Sequence, residues 1–364
     1  MKTLILKVLK WIGVLLLILV VGLLGFLWFG NYHPAPVETM AVHCPDSAPK
    51  MKAGQNLKVL TWNVQTMSGK NYVFWSDLPN NDGPDEKPSQ EDVILTLSEV
   101  ARVIKDENPD IVLIQEIDEG AERTYYEDQL ARLIELLPAD YTCTTSAFDW
   151  KSAYVPHPRI HSNVGWKVAI LSKYQISAAE RIQLSISKGS PIEQPFKIKP
   201  AVLEAHLPLS DGGEFVAMTV HLDLYVPGTN TKDVQLEEIN KILTSLSDAG
   251  IPWLIGGDFN LLPYDDAAYN RLLPDHQKYY NPRSEIKFLS DHYQVVPSME
   301  EMSGSNYAKW FTRWPNDPAI PAPDRTLDYI FVSDSMTIGE HYVRQEDTLK
   351  ISDHLPVISE IQLP

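Results

Sequence analysis

Residues 253–260 read WLIGGDFN, and this stretch does most to decide the fold. A short apolar run, bounded by glycine and polar residues, is typical of a buried β-strand. Asp258 and Asn260 follow the run directly, so two polar side chains are placed where the predicted strand ends. The stretch therefore predicts a buried strand that carries chemically useful groups at its end.

Short apolar runs of the same kind recur along the chain from Leu57 onward. We predict that they are strands. They occupy residues 57–64, 111–117, 168–172, 201–207, 215–222, 253–259, 327–333 and 355–361.

Two longer segments, residues 90–107 and 231–248, repeat apolar residues at helical spacing and are predicted to be helices. Several strands follow one another with short links, which favours a mixed or antiparallel arrangement over an all-parallel one. We predict one α/β domain with two packed sheets flanked by helices. The polar and aromatic stretches at 68–89, 144–165 and 263–325 are predicted to be ordered loops that shape a pocket.

The N-terminal residues 1–30 are predicted to be a transmembrane anchor. Residues 11–29 contain no charge, and lysines precede them at positions 2, 7 and 10. That length can cross a bilayer as a helix, and the lysines favour a cytoplasmic N-terminus with the domain outside the cytoplasm. A signal peptide is the alternative, and it places the domain on the same side. Residues 31–56 are rich in proline and predicted to be an extended linker, and residues 57–364 the catalytic domain.

The charge of the exported part bears on its partners. Without the three N-terminal lysines, 28 of the 31 basic residues remain against 48 acidic ones, a net charge of −20. Such a surface repels polyanions, which makes nucleic acid a less favoured partner. The two cysteines, Cys44 and Cys143, both lie in the exported part, where oxidation is feasible, but two cysteines do not establish a pairing.

Polar residues stand at the ends of the predicted strands, or directly before one. If the strands are neighbours, these side chains share one cleft. Their carboxylate and amide oxygens suit a hard cation such as Mg²⁺ or Mn²⁺, whereas no cysteine or paired-histidine motif suggests zinc. The candidates are Asn63, Glu116, His221, Asp258, Asn260, Asp328, Asp353 and His354.

The residues of several motifs and their order along the chain resemble those of the endonuclease/exonuclease/phosphatase superfamily. The motifs are TWNV (61–64), QE (115–116), GWKVAILSKY (165–174), TVHLD (219–223), GGDFN (256–260), LDYIF (327–331) and SDHLPV (352–357). The resemblance implies a four-layered α/β sandwich and a Mg²⁺-dependent phosphoester hydrolase.

The resemblance also implies a metal site. Glu116 is the expected principal ligand with Asn63 beside it, and Asp353 is expected to help position the metal or a histidine. Gln65 is a departure, because abasic-site endonucleases of this superfamily place an acidic residue there.

For catalysis, the resemblance implies that His354 is the central base or phosphate-binding histidine, oriented by Asp328. Asp258 is expected to activate water or serve the leaving group, and Asn260 to hold a phosphate oxygen. His221 is expected to face the scissile phosphate.

The substrate remains open at this level. A domain tethered to a membrane favours phosphodiester headgroups of phospholipids or sphingolipids, ahead of nucleic acid and of small phosphomonoesters. An inactive binding module on the same fold is the contrasting class. Lys309, Arg313 and Arg325 are candidates to meet a substrate phosphate, with solvated charge as the default expectation. The oligomeric state is not predicted.

Overall fold

The computed structural model describes residues 2–157, 159–160, 162–190 and 193–364. The strands in these ranges are β1 (Val37–Thr39), β2 (Val42–His43), β3 (Asn56–Asn63), β4 (Ile111–Asp118), β5 (Cys143–Ser152), β6 (Val164–Ser172), β7 (Ala178–Gln183), β8 (Ala201–Pro208), β9 (Glu214–His221), β10 (Trp253–Asp258), β11 (Gln294–Val296), β12 (Asp328–Val332), β13 (Thr337–Val343) and β14 (Val357–Gln362). The α-helices are α1 (Lys2–Phe29), α2 (Gln90–Glu107), α3 (Gln129–Leu136), α4 (Thr231–Asp248), α5 (Asp266–Asn270), α6 (Pro274–Gln277), α7 (Lys287–Ser290) and α8 (Met299–Ser303). Short 3-10 turns occur at Gln65–Met67, Trp75–Asp77, Glu122–Thr124, Gln194–Phe196 and Tyr307–Trp310.

The strands form two sheets. Among the described residues, sheet I has the order β13-β14-β3-β4-β6-β5-β2, and sheet II has the order β1-β7-β8-β9-β10-β12-β11. The pairs β3–β4 and β9–β10 are parallel, whereas the other pairs are antiparallel. The predicted mixed arrangement is therefore confirmed.

The two sheets pack face to face and are covered by helices on their outer faces. The core between them includes Leu113 of sheet I and Ala217 of sheet II. Helices α2 and α3 cover sheet I with residues such as Leu97 and Leu133, and α4 covers sheet II with residues such as Leu243. This burial of one face of each element is what drives layered packing, and it confirms the four-layered sandwich.

Helix α2 shows how local sequence sets the ends of an element. The Ser89 hydroxyl accepts a hydrogen bond from the Asp92 backbone amide at 3.1 Å, which caps the N-terminus. Asn108 has a φ of 50° and ends the helix in the left-handed conformation. Helix α2 therefore has the bounds that the sequence predicts.

Helix α1 is exposed along its length and has 28 residues. At 1.5 Å per residue it is about 42 Å long, which exceeds the hydrocarbon thickness of a bilayer, about 30 Å. Length and composition make this helix a candidate membrane span.

The segment predicted to be an extended linker packs on the domain instead. Strand β1 pairs with β7, and β2 pairs with β5, so residues 37–43 extend both sheets. Met51 is fully buried, and Cys44 forms a disulfide with Cys143 at the start of β5. These strands have three and two residues, and such short strands show no apolar periodicity.

Candidate active site

The predicted site residues come together at one rim of the two sheets. In sheet II, the α-carbons of His221, Asp258 and Asp328 lie side by side in register on β9, β10 and β12. In sheet I, Asn63 ends the parallel neighbour of β4, and Glu116 lies near the end of β4. Strand pairing therefore places these five side chains on facing edges of the sandwich.

Glycine is required where β10 approaches its neighbour. Gly257 has a φ of 155°, and a Cβ atom added there would lie 1.9 Å from the carbonyl oxygen of Val220. No side chain fits that distance without a backbone shift. The second glycine of GGDFN thus allows Asp258 to stand directly beside His221.

One histidine of the site is paired with a carboxylate. His354 Nδ1 lies 2.8 Å from Asp328 Oδ2, and both side chains are buried. The Trp62 indole N–H donates to the backbone carbonyl of His354 at 2.9 Å, and this bond holds the loop before β14 in place. Burial acts to lower the pKa of His354, but the carboxylates of Asp328 and Asp258 outweigh it and raise the pKa to about 9. The pair therefore has the arrangement of a positioned, protonatable imidazole.

Asp258 lies between the two histidines. Its Oδ2 is 3.5 Å from His354 Nε2 and 3.7 Å from His221 Nε2, and its Oδ1 accepts from the Asn260 backbone amide at 2.9 Å. Burial acts to raise the pKa of Asp258, but His354 and His221 outweigh it, so the pKa lies below its ordinary value. Asp258 is therefore ionised at neutral pH.

A second carboxylate, Asp149 on β5, accompanies His221. Asp149 Oδ2 lies 4.0 Å from His221 Nδ1, and Asp149 is almost fully buried. Within the described part of the chain, neither of its carboxylate oxygens has a hydrogen-bond partner. Burial raises the pKa of Asp149 to about 7. The sequence did not single this residue out, because it lies in the stretch 144–165 that was predicted to be a loop.

Glu116 and Asn63 form the part of the site that can hold a cation. Asn63 Nδ2 donates to Glu116 Oε1 at 2.9 Å and to Asp258 Oδ2 at 3.1 Å. Glu116 Oε1 is also 3.7 Å from His221 Nε2, and Glu116 lines the cleft. This carboxylate is thus oriented by an amide and open to the solvent side.

The backbone is left-handed at two of these residues. Glu116 has a φ of 54°, and Asn260 has a φ of 51°. Non-glycine residues in this region are uncommon and cluster at functional sites. Asn260 Nδ2 donates to the carbonyl of Leu222 at 2.7 Å, whereas its buried Oδ1 has no partner among the described residues. That oxygen is available to a ligand of the site.

Arg313 is a site residue, contrary to the prediction of a solvated charge. Its Nη2 donates to Asp353 Oδ2 at 3.0 Å, and its Nη1 lies 3.0 Å from His354 Nε2. Because a guanidinium only donates, His354 Nε2 can accept this hydrogen bond only when the imidazole is neutral. When the ring is protonated, Asp258 Oδ2 at 3.5 Å is the partner of Nε2. Arg325 was also predicted to be solvated, and it is buried and paired with Asp324. Both arginines lie in long segments without periodicity, so their burial has no local signal.

A cleft of about 210 Å³ opens above these groups. Its polar lining includes Glu116, His221, Asn260, Asp353 and Arg313, whereas Asn63, Asp258, Asp328 and His354 are buried beneath. Its other walls are aromatic and come from Phe74, Trp75, Trp150 and Trp166. An anionic group with an organic substituent fits this combination.

A known protein family matches most of this chain. Residues 60–354 match the model of the endonuclease/exonuclease/phosphatase family. The chain belongs to that family. No curated protein matches this family member.

Solved structures share the fold of this family member. An endonuclease/exonuclease/phosphatase from Beutenbergia cavernae DSM 12333 is 22% identical, with a TM-score of 0.55 over 85% of this chain and 72% of that chain. The human Nocturnin catalytic domain with bound sulfate anion is 15% identical, with a TM-score of 0.54 over 89% of this chain and 97% of that chain. At identities of 22% and 15%, the similarity to these structures shows a shared fold only.

Members of this family typically use a divalent metal, and the residues of this chain fit one. Glu116 offers a carboxylate at the cleft, and Asn260 offers a buried amide oxygen without a partner. Such oxygens suit Mg²⁺, which uses one or two protein carboxylates and keeps several waters. Oxygen and nitrogen atoms of Asp258, Asp328 and His354 also lie within 4.8 Å of one another. Because Asp328 and His354 already pair together, Glu116 is the residue that would hold a cation, with Asn63 as its neighbour.

Proposed function

We propose that this protein is a membrane-anchored, Mg²⁺-dependent phosphodiesterase whose catalytic domain lies outside the cytoplasm. The observation that carries the proposal is one rim that combines an open carboxylate, two histidine–carboxylate pairs and a cleft-lining arginine. Glu116, Asp328–His354, Asp149–His221 and Arg313 are the groups concerned. Displacement at phosphorus needs this set: a cation site, acids and bases, and a donor to phosphate oxygens.

The reaction is hydrolysis of one ester bond. The oxygen of water forms a bond to phosphorus, the bond from phosphorus to the leaving alcohol oxygen breaks, and that oxygen takes up a proton. A bound Mg²⁺ would supply charge neutralisation at a non-bridging phosphate oxygen. Asp258, ionised between two histidines, is placed to accept the proton that water loses.

The other residues bind the phosphate and place a proton. Arg313 presents its guanidinium to the cleft while Asp353 holds it. Asn260 offers its side chain to the same cleft. His221 Nε2 is the cleft-lining ring nitrogen and the group placed to protonate the leaving oxygen, and Asp149 faces its other nitrogen.

Two further observations support a location outside the cytoplasm. The disulfide between Cys44 and Cys143 belongs to an oxidising compartment, because cytosolic thiols are kept reduced. The lysines before the apolar run of α1 favour a cytoplasmic N-terminus. A nucleic acid substrate is less favoured, because the exported part carries a strong negative charge.

The test is hydrolysis by the full-length protein in detergent. Turnover of bis-p-nitrophenyl phosphate, p-nitrophenyl phosphate and plasmid DNA is measured with Mg²⁺, with Mn²⁺ and after chelation. We expect metal-dependent turnover of the diester above the monoester. Nicking of DNA at low enzyme concentration would favour a nuclease, and absence of turnover with either metal would favour an inactive binding module.

Two variants test the residue roles. We expect Glu116→Gln and His354→Ala to abolish diester turnover while the circular dichroism spectrum is retained. His206→Ala is the matched control, because His206 also pairs with carboxylates, Glu204 and Glu214 at 3.0 Å, but lies toward the far end of β8. Full activity of both site variants would contradict the proposal.

A further inference from the structure

The membrane-spanning candidate helix runs into the catalytic domain without a free spacer. The carbonyl of Gly30, the residue after α1, accepts a hydrogen bond from the Ala153 amide at 2.7 Å. Asn31 forms an antiparallel bridge with Ser152, the last residue of β5. The Tyr32 amide then donates to the carbonyl of Lys151 at 3.2 Å. The first residues beyond the helix are therefore bonded to the end of β5.

Further contacts hold the same segment along its length. The Tyr32 ring lies 6.3 Å from the Phe148 ring and 5.3 Å from the Arg181 guanidinium. Strands β1 and β2 then pair with β7 and β5, and the disulfide of Cys44 closes the segment. The domain is thus held close to the end of α1.

The end of β5 is also a wall of the catalytic cleft. Trp150 lines the cleft and stands two residues before Ser152, about 7 Å along the strand. The chain that continues from Ala153 returns to β6, where Val164 and Trp166 line the same cleft. The end of the membrane span and the entrance of the cleft therefore share one short stretch of chain.

Apolar side chains are exposed on two segments that also contribute residues to the cleft lining. Tyr154 follows the join with α1 and is 39% exposed. On the loop after β9, Leu224 and Val226 are 49% and 41% exposed, and Leu224 lines the cleft. Phe196 and Ser187, which lie between β7 and β8, contact the two sides. The Trp150 indole donates to the carbonyl of Phe196 at 2.7 Å, and the Ser187 hydroxyl donates to Asp223 on the β9 loop. We call Tyr154, Leu224 and Val226 the apolar lip.

We propose that the apolar lip rests on the membrane that holds α1, and that the substrate is a phospholipid of that same membrane. The inference rests on the proposed phosphodiesterase function. A bilayer fits the lip better than another partner does, because the span ends beside it and aromatic and aliphatic side chains insert readily at the headgroup boundary. Water then cleaves a phosphodiester bond of the lipid, and an alcohol and a phosphomonoester result.

The test uses the full-length protein in vesicles of phosphatidylcholine, phosphatidylethanolamine, phosphatidylglycerol and sphingomyelin. Protein-free vesicles of the same lipids in deuterated form are added, and mass spectrometry separates products of the two populations. Bis-p-nitrophenyl phosphate reports the basal activity in the same sample. We expect cleavage of the lipids that surround the protein, with the deuterated lipids spared.

Two variants separate docking from chemistry. The double variant Tyr154→Asp, Val226→Asp is expected to lower lipid turnover about tenfold, because two side chains lose apolar burial, and to leave turnover of the soluble diester unchanged. Insertion of about twenty Gly/Ser residues between Gly30 and Asn31 lets the domain move roughly 25 Å away and should also lower lipid turnover. Leu136→Asp is the matched control: Leu136 is 38% exposed at the end of α3, away from the site rim, and its replacement should change neither activity.

The outcomes are distinguishable. Equal cleavage of the two lipid populations, or unchanged lipid turnover in the double variant and in the insertion variant, overturns the inference. Intact lipids together with turnover of the soluble diester also overturn it, while the proposed function survives. Absence of soluble diester turnover in the wild type overturns the proposed function itself. Capture of a second copy or a peptide by the lip, with lipids untouched, assigns that surface to a protein partner and contradicts the inference.

Discussion

Replacement of Asp149 by Asn should change the pH dependence of stability. The side chains are similar in shape, but Asn is neutral at every pH. Burial raises the pKa of Asp149 from its ordinary value of 3.8 to about 7 in the folded protein. A raised pKa means that the folded state holds the proton more tightly than the unfolded state. The carboxyl group therefore contributes stability below pH 3.8 that is lost as the pH rises to about 7.

The size of the effect follows from the same values. The folded and ordinary pKa values of Asp149 differ by about 3, and each pH unit corresponds to about 1.4 kcal/mol. The free energy of unfolding of the wild type therefore falls by about 4 kcal/mol over this pH range. Near pH 4, the free energy of unfolding of Asp149→Asn should equal that of the wild type. Above pH 7 its free energy of unfolding should exceed that of the wild type by up to about 4 kcal/mol.

The assay is urea unfolding of the full-length protein in detergent at pH 4, 6 and 8, followed by tryptophan fluorescence. Asp317→Asn is the matched control. Burial acts to raise the pKa of Asp317, but its hydrogen bond with His276 at 2.8 Å outweighs burial and lowers the pKa. The hydrogen-bonded carboxylate contributes stability above its ordinary pKa that is lost at lower pH, so this variant should be less stable than the wild type at pH 8.

A stability difference between Asp149→Asn and the wild type that stays constant from pH 4 to pH 8 would refute the reasoning. It would mean that the Asp149 carboxyl group keeps its ordinary pKa in the folded protein. The same variant should also lower kcat for the diester, because His221 loses the carboxylate at its Nδ1.

Four further predictions concern the metal, the phosphate and the fold. Glu116→Gln should weaken Mg²⁺ binding at least about tenfold by calorimetric titration, because the cleft loses its open carboxylate. Arg313→Lys should lower kcat about 100-fold with unchanged metal affinity, since a single ammonium cannot reach both Asp353 and a phosphate. Gly257→Ala should destabilise the fold by roughly 1–3 kcal/mol in urea unfolding, because the added methyl meets a backbone oxygen. Cys44→Ser should lower the free energy of unfolding by about 2–4 kcal/mol relative to the oxidised wild type, because the disulfide is lost.

Much of the framework follows from local sequence. All eight predicted strands and both predicted helices are confirmed, because each has an apolar run or a helical stripe long enough to show its period. Polar residues such as Glu116, Asp258 and His354 were found because they interrupt, end or directly precede such runs. Strand register places Asp258 beside His221 and Asp328, and side-chain contacts bring Glu116 and His354 to the same rim.

The parts that the sequence missed depend on pairing over long distances. Strand β5 was predicted to be a loop because its CTTSAFDWKS sequence lacks a clear apolar alternation, and it is held in place by pairing with β6. Asp149 was missed with it. Arg313 and the packed segment 37–51 have no periodic signal either, since their positions are set by Asp353, by the sheets and by a disulfide.

The two short N-terminal strands have a practical consequence for protein production. Strand β1 is the outermost strand of sheet II beside β7, and β2 is the outermost strand of sheet I beside β5. A shortened protein that begins at residue 57 would expose the backbone hydrogen-bonding groups of β5 and β7 and the thiol of Cys143. Unpaired strand edges recruit other chains and promote aggregation. Soluble expression should therefore begin near residue 31, so that both edges stay covered and the cystine can form.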